Sequence, residues 1–452
     1  MSVSRRFLIL TLGMAFAVPA VAQEDSPSNY NISQQRAAVA RSERIMAEAT
    51  KREGLLAQFL YMRDTYSTSN DYAFRVIFNQ YVSWYQTWVG DYNGARATFS
   101  IASQTASDDN ESPLKGGFHP EPAVDVIAKL AKGRQAIFFN ESHSNVLTRT
   151  VTLQVLEKLR AEGFNMFAAE TLYDTDKGLA ERGYPDSSSG FYTEEPVYAE
   201  MVRTALRLGF KVVPYEATSN ATGNERELEQ AHNLIAATLK NDPRARIVVN
   251  AGFAHIQKAG IYLGGKSMAQ HFEGLSGIEP VSIEQTMMVP HLKPGRDHPI
   301  YRAIIEAKNP DVPVMYVDAD GKPWSLKKTG YDASVVFPLE VYERERPTWL
   351  ALGGLRVPYQ VTGALCNLKY PCLVEARYEG EDDRAIPADR AVVSIGGNFE
   401  IVNDSLNQST STLPLRTLWL RPGGYRLVAK DKDDRILTRR KVRVGDPGGA
   451  AP

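Results

Sequence analysis

The sequence predicts an α/β protein whose mostly parallel sheet is flanked by helices. A helical N-terminal region precedes this sheet, and a C-terminal β-sandwich follows it. Between about residues 120 and 300, short apolar runs alternate with helical stretches, which is the pattern of parallel strands covered on both faces. Residues 31–105 have helical periodicity. After about residue 355, short alternating runs are separated by Gly and Pro, which indicates antiparallel strands.

We therefore expect five segments along the 452 residues. They are a signal peptide at 1–22, a helical region at 23–110, an α/β domain at 111–350, a small β-sandwich at 351–445 and a disordered tail at 446–452. The signal is indicated by Arg5 and Arg6, an apolar run from Phe7 to Val18 and the cleavage-type sequence Ala20–Ala22. The apolar run is shorter than the roughly 20 residues of a membrane-spanning helix. We expect an exported, periplasmic protein without a membrane span.

Composition and charge narrow the class of protein. Apolar residues make up 43% and charged residues 23% of the chain, which are ordinary globular values. The net charge of −1 argues against nucleic acid as the main partner, since such proteins usually carry a basic excess. Cys366 and Cys372 have five residues between them, and a disulfide is expected in an oxidising compartment. A metal-binding pair is the alternative, and nothing in the sequence fixes the oligomeric state.

The helical region contains a recognisable hairpin pattern. An aromatic-rich stretch runs from Tyr72 to Trp88, and Gly90–Gly94 marks a turn before the next helix. The residues from Trp84 to Ala102 resemble one tetratricopeptide helix pair, whereas a stable array needs about three repeats or more. We expect a helical hairpin packed on its neighbour, with a peptide-binding array as the alternative.

The elements of the other two domains follow from apolar runs and punctuation. Strands of the α/β domain are predicted at Ala136–Phe139, Asn165–Ala169, Lys211–Pro214, Ile247–Asn250, Pro280–Ile283 and Val314–Val317. Helices are predicted at Thr148–Glu162, Pro196–Leu208 and Asn224–Lys240. Strands of the sandwich are predicted at Cys372–Tyr378, Ala391–Ile395, Thr417–Leu420, Tyr425–Lys430 and Arg435–Val444.

Chemically active side chains follow four successive strands of the α/β domain. Glu141 and His143 follow the first strand, Glu170 the second, Glu216 the third and His255 the fourth. Ligands of open α/β sheets bind beyond the carboxyl ends of the strands, so these side chains are expected to meet at one rim. Their joint occurrence favours a functional site over isolated helix-capping or exposed residues.

The helix after the third strand adds two candidates. Arg226 and Asn233 lie seven residues apart, on one helical face. An Arg near the first turn opposes the helix dipole, so a purely structural helix gains little from it. An Arg facing a carboxylate-rich site would instead keep those groups ionised and oriented.

At this point the residues resemble a superfamily that contains erythromycin esterases, ChaN and Tiki proteins. The motifs that carry the resemblance, over about residues 120–300, are Glu141-x-His143, Glu170, Arg226 with Ala231-x-Asn233, and the stretch Val248–His255 ending in Gly-x-x-His. The chain departs from the usual pattern at Asn140, where the superfamily has Gly, and at Ala231, where it has Met. Glu216 stands where some members have Asp.

The resemblance implies three kinds of activity. Erythromycin esterases activate water with His and Glu and without a metal, Tiki proteins are metal-dependent proteases, and ChaN-like members bind haem. As hypotheses, His143 is the general base, oriented by Glu141 or Glu170, and His255 polarises the substrate carbonyl. Arg226 stabilises developing negative charge. In a metal-dependent variant, Zn²⁺ or Mn²⁺ would bind His143, His255 and Glu141.

We therefore expect an exported hydrolase of ester or peptide bonds, acting on a small molecule or a peptide. A non-catalytic periplasmic protein that binds haem or another ligand is the alternative. A third reading comes from Gly260–Ser267, which matches the P-loop pattern GxxxxGK[ST] of NTPases. It is less favoured because the motif does not follow its strand at once and because Ile261, Tyr262 and Leu263 are bulky for a phosphate-binding loop.

One further segment belongs to the site hypotheses. Tyr173–Tyr192 is rich in Gly, Ser and Asp. It is either a lid over the site or a plain connector.

Overall fold

The computed structural model describes residues 32–99, 110–395, 399–402 and 411–445. The predicted signal peptide and the predicted disordered tail lie outside these residues. Within the described part of the chain, no helix combines the length and apolar character needed to cross a membrane.

The N-terminal region is helical. Its helices are α1 (Ile32–Thr50), α2 (Leu55–Thr68), α3 (Tyr72–Trp88) and α4 (Tyr92–Thr98). Asp71 caps α3 by accepting a hydrogen bond from the backbone N–H of Phe74 at 3.1 Å. Asp91 caps α4 in the same way from Gly94, so α4 begins inside the predicted turn.

The α/β domain contains a six-stranded parallel sheet with the strand order β4-β3-β5-β2-β6-β8. Its elements, in chain order, are β1 (His119–Pro122), α5 (Ala123–Leu130), β2 (Ala136–Glu141), α6 (Thr150–Ala161), β3 (Met166–Ala169), α7 (Leu179–Arg182), α8 (Pro196–Arg207), β4 (Lys211–Val213), α9 (Asn224–Ala237), β5 (Ile247–Gly252), α10 (Met268–Ser276), β6 (Val281–Glu284), α11 (Pro299–Ala307), β7 (Val314–Val317) and β8 (Ala333–Ser334). The predicted α/β class is confirmed.

Two apolar cores cover the two faces of this sheet. Phe139 and Phe167 point into the core that contains α5, α6, α8 and the N-terminal helices. Phe138 and Val249 point into the opposite core with α9 and α10. Alternation along each strand sends successive side chains to opposite faces, and burial on both faces explains the continuous apolar runs.

One predicted strand lies elsewhere. β7 does not join the parallel sheet but pairs antiparallel with β1, with Tyr316 opposite Pro120. The sequence His-Pro-Glu-Pro of β1 is largely exposed and carries two prolines, so it has no strand signal of its own.

The C-terminal part is a sandwich of two antiparallel sheets, ordered β11-β15-β14 and β13-β12-β16-β17, preceded by the short pair β9–β10. Its strands are β9 (Tyr342–Glu343), β10 (Arg346–Pro347), β11 (Val357–Thr362), β12 (Cys372–Tyr378), β13 (Asp389–Val393), β14 (Phe399–Val402), β15 (Ser411–Leu420), β16 (Gly423–Lys430) and β17 (Ile436–Val444). A separate apolar core lies between the sheets and includes Val374 and Leu418. Cys366 and Cys372 form a disulfide with their Cα atoms 5.8 Å apart.

Candidate functional site

Three neighbouring strands bring the predicted residues to one rim of the sheet. β5 lies between β3 and β2. Glu141 is the last residue of β2, Glu170 directly follows β3, and His255 comes three residues after the end of β5. Parallel strands end at the same edge, so these side chains lie beyond the carboxyl ends of the sheet.

Glu170 lies at the centre of the cluster. Its Oε2 accepts a hydrogen bond from the backbone N–H of Gly252 at 2.5 Å and lies 3.6 Å from His143 Nε2. Its Oε1 lies 3.6 Å from His255 Nε2 and accepts a hydrogen bond from Arg226 Nη2 at 3.3 Å. A single buried carboxylate is therefore shared by two imidazoles, a guanidinium and a backbone amide.

These neighbours keep Glu170 ionised. Burial by itself raises the pKa of this carboxyl, but His255, His143 and Arg226 outweigh burial and hold the pKa well below its usual range. Glu170 is thus a fixed negative charge at neutral pH.

A carboxylate orients His255. Its Nδ1 lies 2.8 Å from Glu227, and Glu227 also accepts a hydrogen bond from the backbone N–H of Met268 at 2.8 Å. A carboxylate accepts but does not donate, so Nδ1 carries a proton. Burial lowers the pKa of His255, but the charges of Glu227 and Glu170 outweigh it and raise the pKa above its usual value. The environment of His255 therefore favours the imidazolium form.

A phenol holds His143 instead. Its Nδ1 lies 2.8 Å from the hydroxyl of Tyr192. Burial, together with the charges of Glu170 and Glu141, raises the pKa of Tyr192 well above its ordinary value, so the phenol stays neutral. The imidazole lies between Tyr192 and Phe253, with ring centroids 4.3 and 4.8 Å away. His143 Nε2 is buried and has no hydrogen-bond partner within the described residues.

The backbone around the cluster is tight. A Cβ atom at Gly252 would overlap His143 Nε2 and lie 2.9 Å from Glu170 Oε2, so only glycine fits there without displacing the imidazole. The residues that follow Glu170 and Gly252, Thr171 and Phe253, both have left-handed backbone, with φ of 60° and 46°. This conformation is costly for β-branched and bulky residues, and such strain tends to persist at functional sites.

Glu141 contacts a guanidinium rather than lying free for a ligand. Its two oxygens accept from Arg149 at 2.9 and 3.0 Å, and its Oε2 also accepts from Asn250 at 2.8 Å. Arg149 is buried and pairs at 2.9 Å with a second carboxylate, Glu195. Glu141 is thus part of a buried ion-pair network beside the imidazoles.

The secondary residues of the prediction surround Arg226. Glu216 accepts from Arg226 Nε and Nη2 at 3.1 and 3.0 Å. Gln230 donates to the Glu216 carboxylate, and Asn233 donates to the Glu216 backbone carbonyl, both at 2.9 Å. Arg226 is therefore held between Glu216 and Glu170.

The predicted metal-ligand set of His143, His255 and Glu141 does not match the donor arrangement. Across the described ranges, no group of three or more His, Cys, Asp or Glu side chains converges in a way that would hold a metal ion. Both oxygens of Glu141 accept hydrogen bonds from Arg149, so Glu141 is engaged by the guanidinium and not by the two imidazoles. Glu141 therefore does not complete the predicted set for Zn²⁺ or Mn²⁺, and no step below involves a metal.

The P-loop-like segment is folded on itself. Tyr262 and Gly265 exchange backbone hydrogen bonds of 2.8 and 3.0 Å, so these two N–H groups are already used. Ser267 caps α10 by accepting from the backbone N–H of Gln270 at 3.2 Å. The Tyr262 ring packs edge-on against His255, with centroids 5.1 Å apart. The segment covers one side of the imidazole cluster.

The segment from Tyr173 to Tyr192 is tied down at several points. Asp176 pairs with Arg182 at 2.6 Å within the segment. The carbonyl of Pro185 accepts from the backbone N–H of Ile386 in the sandwich domain at 3.0 Å. The segment ends at Tyr192, which contacts His143. Tyr192 and Arg149 carried no signal in the sequence, since their partners are assembled only by the fold.

No protein-family model matches the chain, and no curated protein matches it significantly. Among solved structures, the chain is similar to the type III effector HopBA1 (14% identity, 37% of this chain and 85% of that chain, TM-score 0.23). It is also similar to a structure described as bacterial protein toxins (13% identity, 60% and 70%, TM-score 0.28). A third is RRSP, a MARTX toxin effector domain from Vibrio vulnificus (15% identity, 51% and 52%, TM-score 0.26). At these TM-scores the similarities carry no argument about activity.

Proposed function

We propose that the protein is an exported hydrolase that uses His143, Glu170 and His255 to cleave an ester or peptide bond with water. One observation carries the proposal. Two buried imidazoles share the carboxylate of Glu170 but differ at Nδ1, where His255 has a carboxylate and His143 has a neutral phenol. Two imidazoles with such different partners can take different roles, one as acid and the other as base.

His143 is the base in this proposal. Its Nε2 and Glu170 Oε2 are 3.6 Å apart, and in the proposed reaction one water oxygen bridges them at about 2.8 Å from each. Such a water donates one hydrogen to each atom and turns a lone pair towards the substrate carbonyl. Its proton passes to Nε2 as the bond to the carbonyl carbon forms, provided that Nδ1–H donates to Tyr192. Glu170 then stabilises the imidazolium that results.

His255 is the acid. Its Nε2–H faces the same carboxylate, and its proton passes to the leaving oxygen or nitrogen as the scissile bond breaks. Arg226 supplies a fixed positive charge for the negative charge that develops on the carbonyl oxygen. After each turnover His143 carries one extra proton and His255 lacks one, and proton exchange with solvent water restores both starting states while Glu170 stays ionised.

Two sequence features support the proposal. The motifs that include Glu141, His143, Glu170, Arg226 and His255 resemble those of the erythromycin esterase, ChaN and Tiki superfamily. Export to the periplasm is proposed from residues 1–22. Among the activities of that superfamily, hydrolysis without a metal agrees best with the donor arrangement described above.

The test uses the chain from Gln23 onwards, p-nitrophenyl acetate and butyrate as esters, and labelled casein as a protein substrate. We expect His143→Ala and His255→Ala each to lower turnover about 10²-fold to 10⁴-fold. His232→Ala, an exposed residue of α9, is the matched control and should leave turnover unchanged. Full activity in both site variants would refute the proposal.

The same preparations distinguish the alternatives. About one equivalent of Zn or Mn by elemental analysis, lost in the His143→Ala/His255→Ala variant, would replace the proposal with a metallohydrolase. Absence of turnover together with a Soret band on haem addition would favour the non-catalytic haem-binding protein.

A further inference from the structure

We propose that the N-terminal helices contribute to the function of the site. They fix the position of Tyr192, which in turn positions His143. Only the naming of His143 as the base rests on the proposed function. The contacts belong to the described structure, and the state of the His143 ring can be measured without a substrate.

Phe191 makes the first contact between the N-terminal helices and the segment that carries Tyr192. Its ring packs edge-on against Trp84 and Trp88, with centroids 5.0 Å away in each case. The two tryptophans lie four residues apart on α3, so they are on one face of that helix and form a slot. Both are nearly fully buried. Phe191 directly precedes Tyr192, so the slot fixes the backbone that carries the phenol to His143.

A hydrogen bond from α4 makes a second contact with the same segment. Tyr92, its first residue, donates a hydrogen bond to Glu195 at 2.9 Å. Glu195 caps the N-terminus of α8 by accepting a hydrogen bond from the backbone N–H of Tyr198 at 2.8 Å, and it also pairs with Arg149. Arg149 in turn holds Glu141. Residues 191–195 are thus fixed at both ends by the helical region.

This arrangement acts on the chemistry of His143. A neutral imidazole has two tautomers, and the hydrogen bond at one ring nitrogen decides which nitrogen carries the proton. The base role requires an unprotonated Nε2, so the Tyr192 oxygen must accept from Nδ1–H. If the phenol is displaced, its hydrogen bond no longer determines which ring nitrogen of His143 carries the proton. If the packing of Phe191 against the two tryptophans had only a structural role, it would stabilise the protein without affecting the tautomer of His143.

The test is nuclear magnetic resonance of the chain labelled with ¹⁵N in the histidine rings. The chain has 7 His, and the His143 signals are assigned by their loss in His143→Gln. In the native chain we expect the Nδ1–H tautomer. We expect Tyr192→Phe and Trp84→Leu to shift the ¹⁵N signals of both ring nitrogens of His143. Phe78→Leu is the control, because Phe78 is as buried as Trp84 but stacks on Phe74 within α3.

Each result bears on the proposal. An Nε2–H tautomer in the native chain, or unchanged His143 signals in Tyr192→Phe, would overturn the positioning role of Tyr192. Unchanged signals in Trp84→Leu, or equal shifts in Phe78→Leu, would overturn the role of the helices. Phe191→Leu breaks the same contact from the other side and replaces Trp84→Leu if that variant does not fold. Shifts as expected in a protein that hydrolyses none of the esters or casein would support this inference while refuting the hydrolase.

Discussion

His143 and His255 approach different oxygens of one carboxylate, each with its Nε2 3.6 Å from Glu170. What separates the two imidazoles is the partner at the opposite ring nitrogen, a phenol for one and a carboxylate for the other. If this difference assigns base and acid, it can be altered by changing the partner and leaving the imidazole in place.

The first prediction concerns the pH profile of Glu227→Gln. The folded pKa of His255 is raised, mainly by Glu227 and Glu170 against the effect of burial, so the acid form persists above the ordinary value of 6.5. Activity should fall as the pH rises through that folded pKa. Removing the Glu227 charge should lower the pKa and move this alkaline limb to lower pH. The measurement is kcat/KM against pH.

Glu229→Gln is the control for this profile, because Glu229 lies on the same helix and accepts a hydrogen bond from the backbone N–H of the exposed Ser219. We expect its alkaline limb to coincide with that of the native protein. A limb that stays in place in Glu227→Gln would contradict the assignment of His255 as the acid.

The second prediction concerns Gly252→Ala. The added methyl group would overlap His143 Nε2, so the imidazole has to move away from Glu170. We expect turnover to fall about 10²-fold or more, since a displacement of about 1 Å at a reacting group has that effect. Gly274→Ala in α10 adds the same methyl group where nothing lies within 4 Å, and it should keep full turnover. Equal activity of the two variants would show that His143 does not act from this position.

The third prediction separates Glu141 from the reacting groups. Glu141→Gln leaves buried Arg149 with one carboxylate fewer. Breaking one partner of a buried ion pair costs about 3 kcal/mol of unfolding free energy or more. We expect urea denaturation to show this loss while kcat falls by less than about 10-fold, because Glu141 takes no proton in the proposed reaction. A large loss of kcat at unchanged stability would instead make Glu141 a reacting group.

The fourth prediction concerns stability in acid. Glu200 in α8 accepts from Arg421 at 2.6 Å and lies 3.4 Å from Arg356, both in the C-terminal part of the chain. Burial raises its pKa, but Arg356, Arg421 and Arg203 outweigh burial and lower it to about 2. A depressed folded pKa stabilises the protein above the unfolded value of 4.5, and this stabilisation is lost as the pH falls from there towards 2. The loss should be on the order of 3 kcal/mol.

Unfolding free energy measured from pH 6 to about pH 2 tests this. Glu200→Gln should be less stable at neutral pH and should show a flatter dependence on pH in this range. Glu379→Gln removes an exposed carboxylate paired with Lys441 and should behave as the native protein does. A native slope in Glu200→Gln would show that other carboxylates cause the acid sensitivity.

The parallel sheet could be predicted because its strands are buried on both faces. β2, β3 and β5 are buried throughout, so each contains a continuous apolar run that stands out from the helices between them. β1 could not be predicted, since it is short, exposed and rich in proline. For the same reason the pairing of β7 was not visible in the sequence.

The site shows a similar division. Residues such as Glu170 and His255 could be proposed because a rule links strand ends to ligand binding. Tyr192 and Arg149 could not, because their contacts join segments that are far apart in the chain and no periodicity marks them. The partner of His143 is 49 residues away, and it lies in a segment whose composition indicates only a loop.

The hydrogen bond between Tyr92 and Glu195 has a consequence for folding kinetics. The two residues are 103 positions apart, and the bond closes only when α4 has docked on the α/β domain. Contacts of such long sequence separation form slowly, because the entropy of closing the intervening chain is lost before the contact is gained. During refolding, the signals of the helices, whose hydrogen bonds are local, should therefore recover first. The ordered environment of His143 should be among the last properties to return.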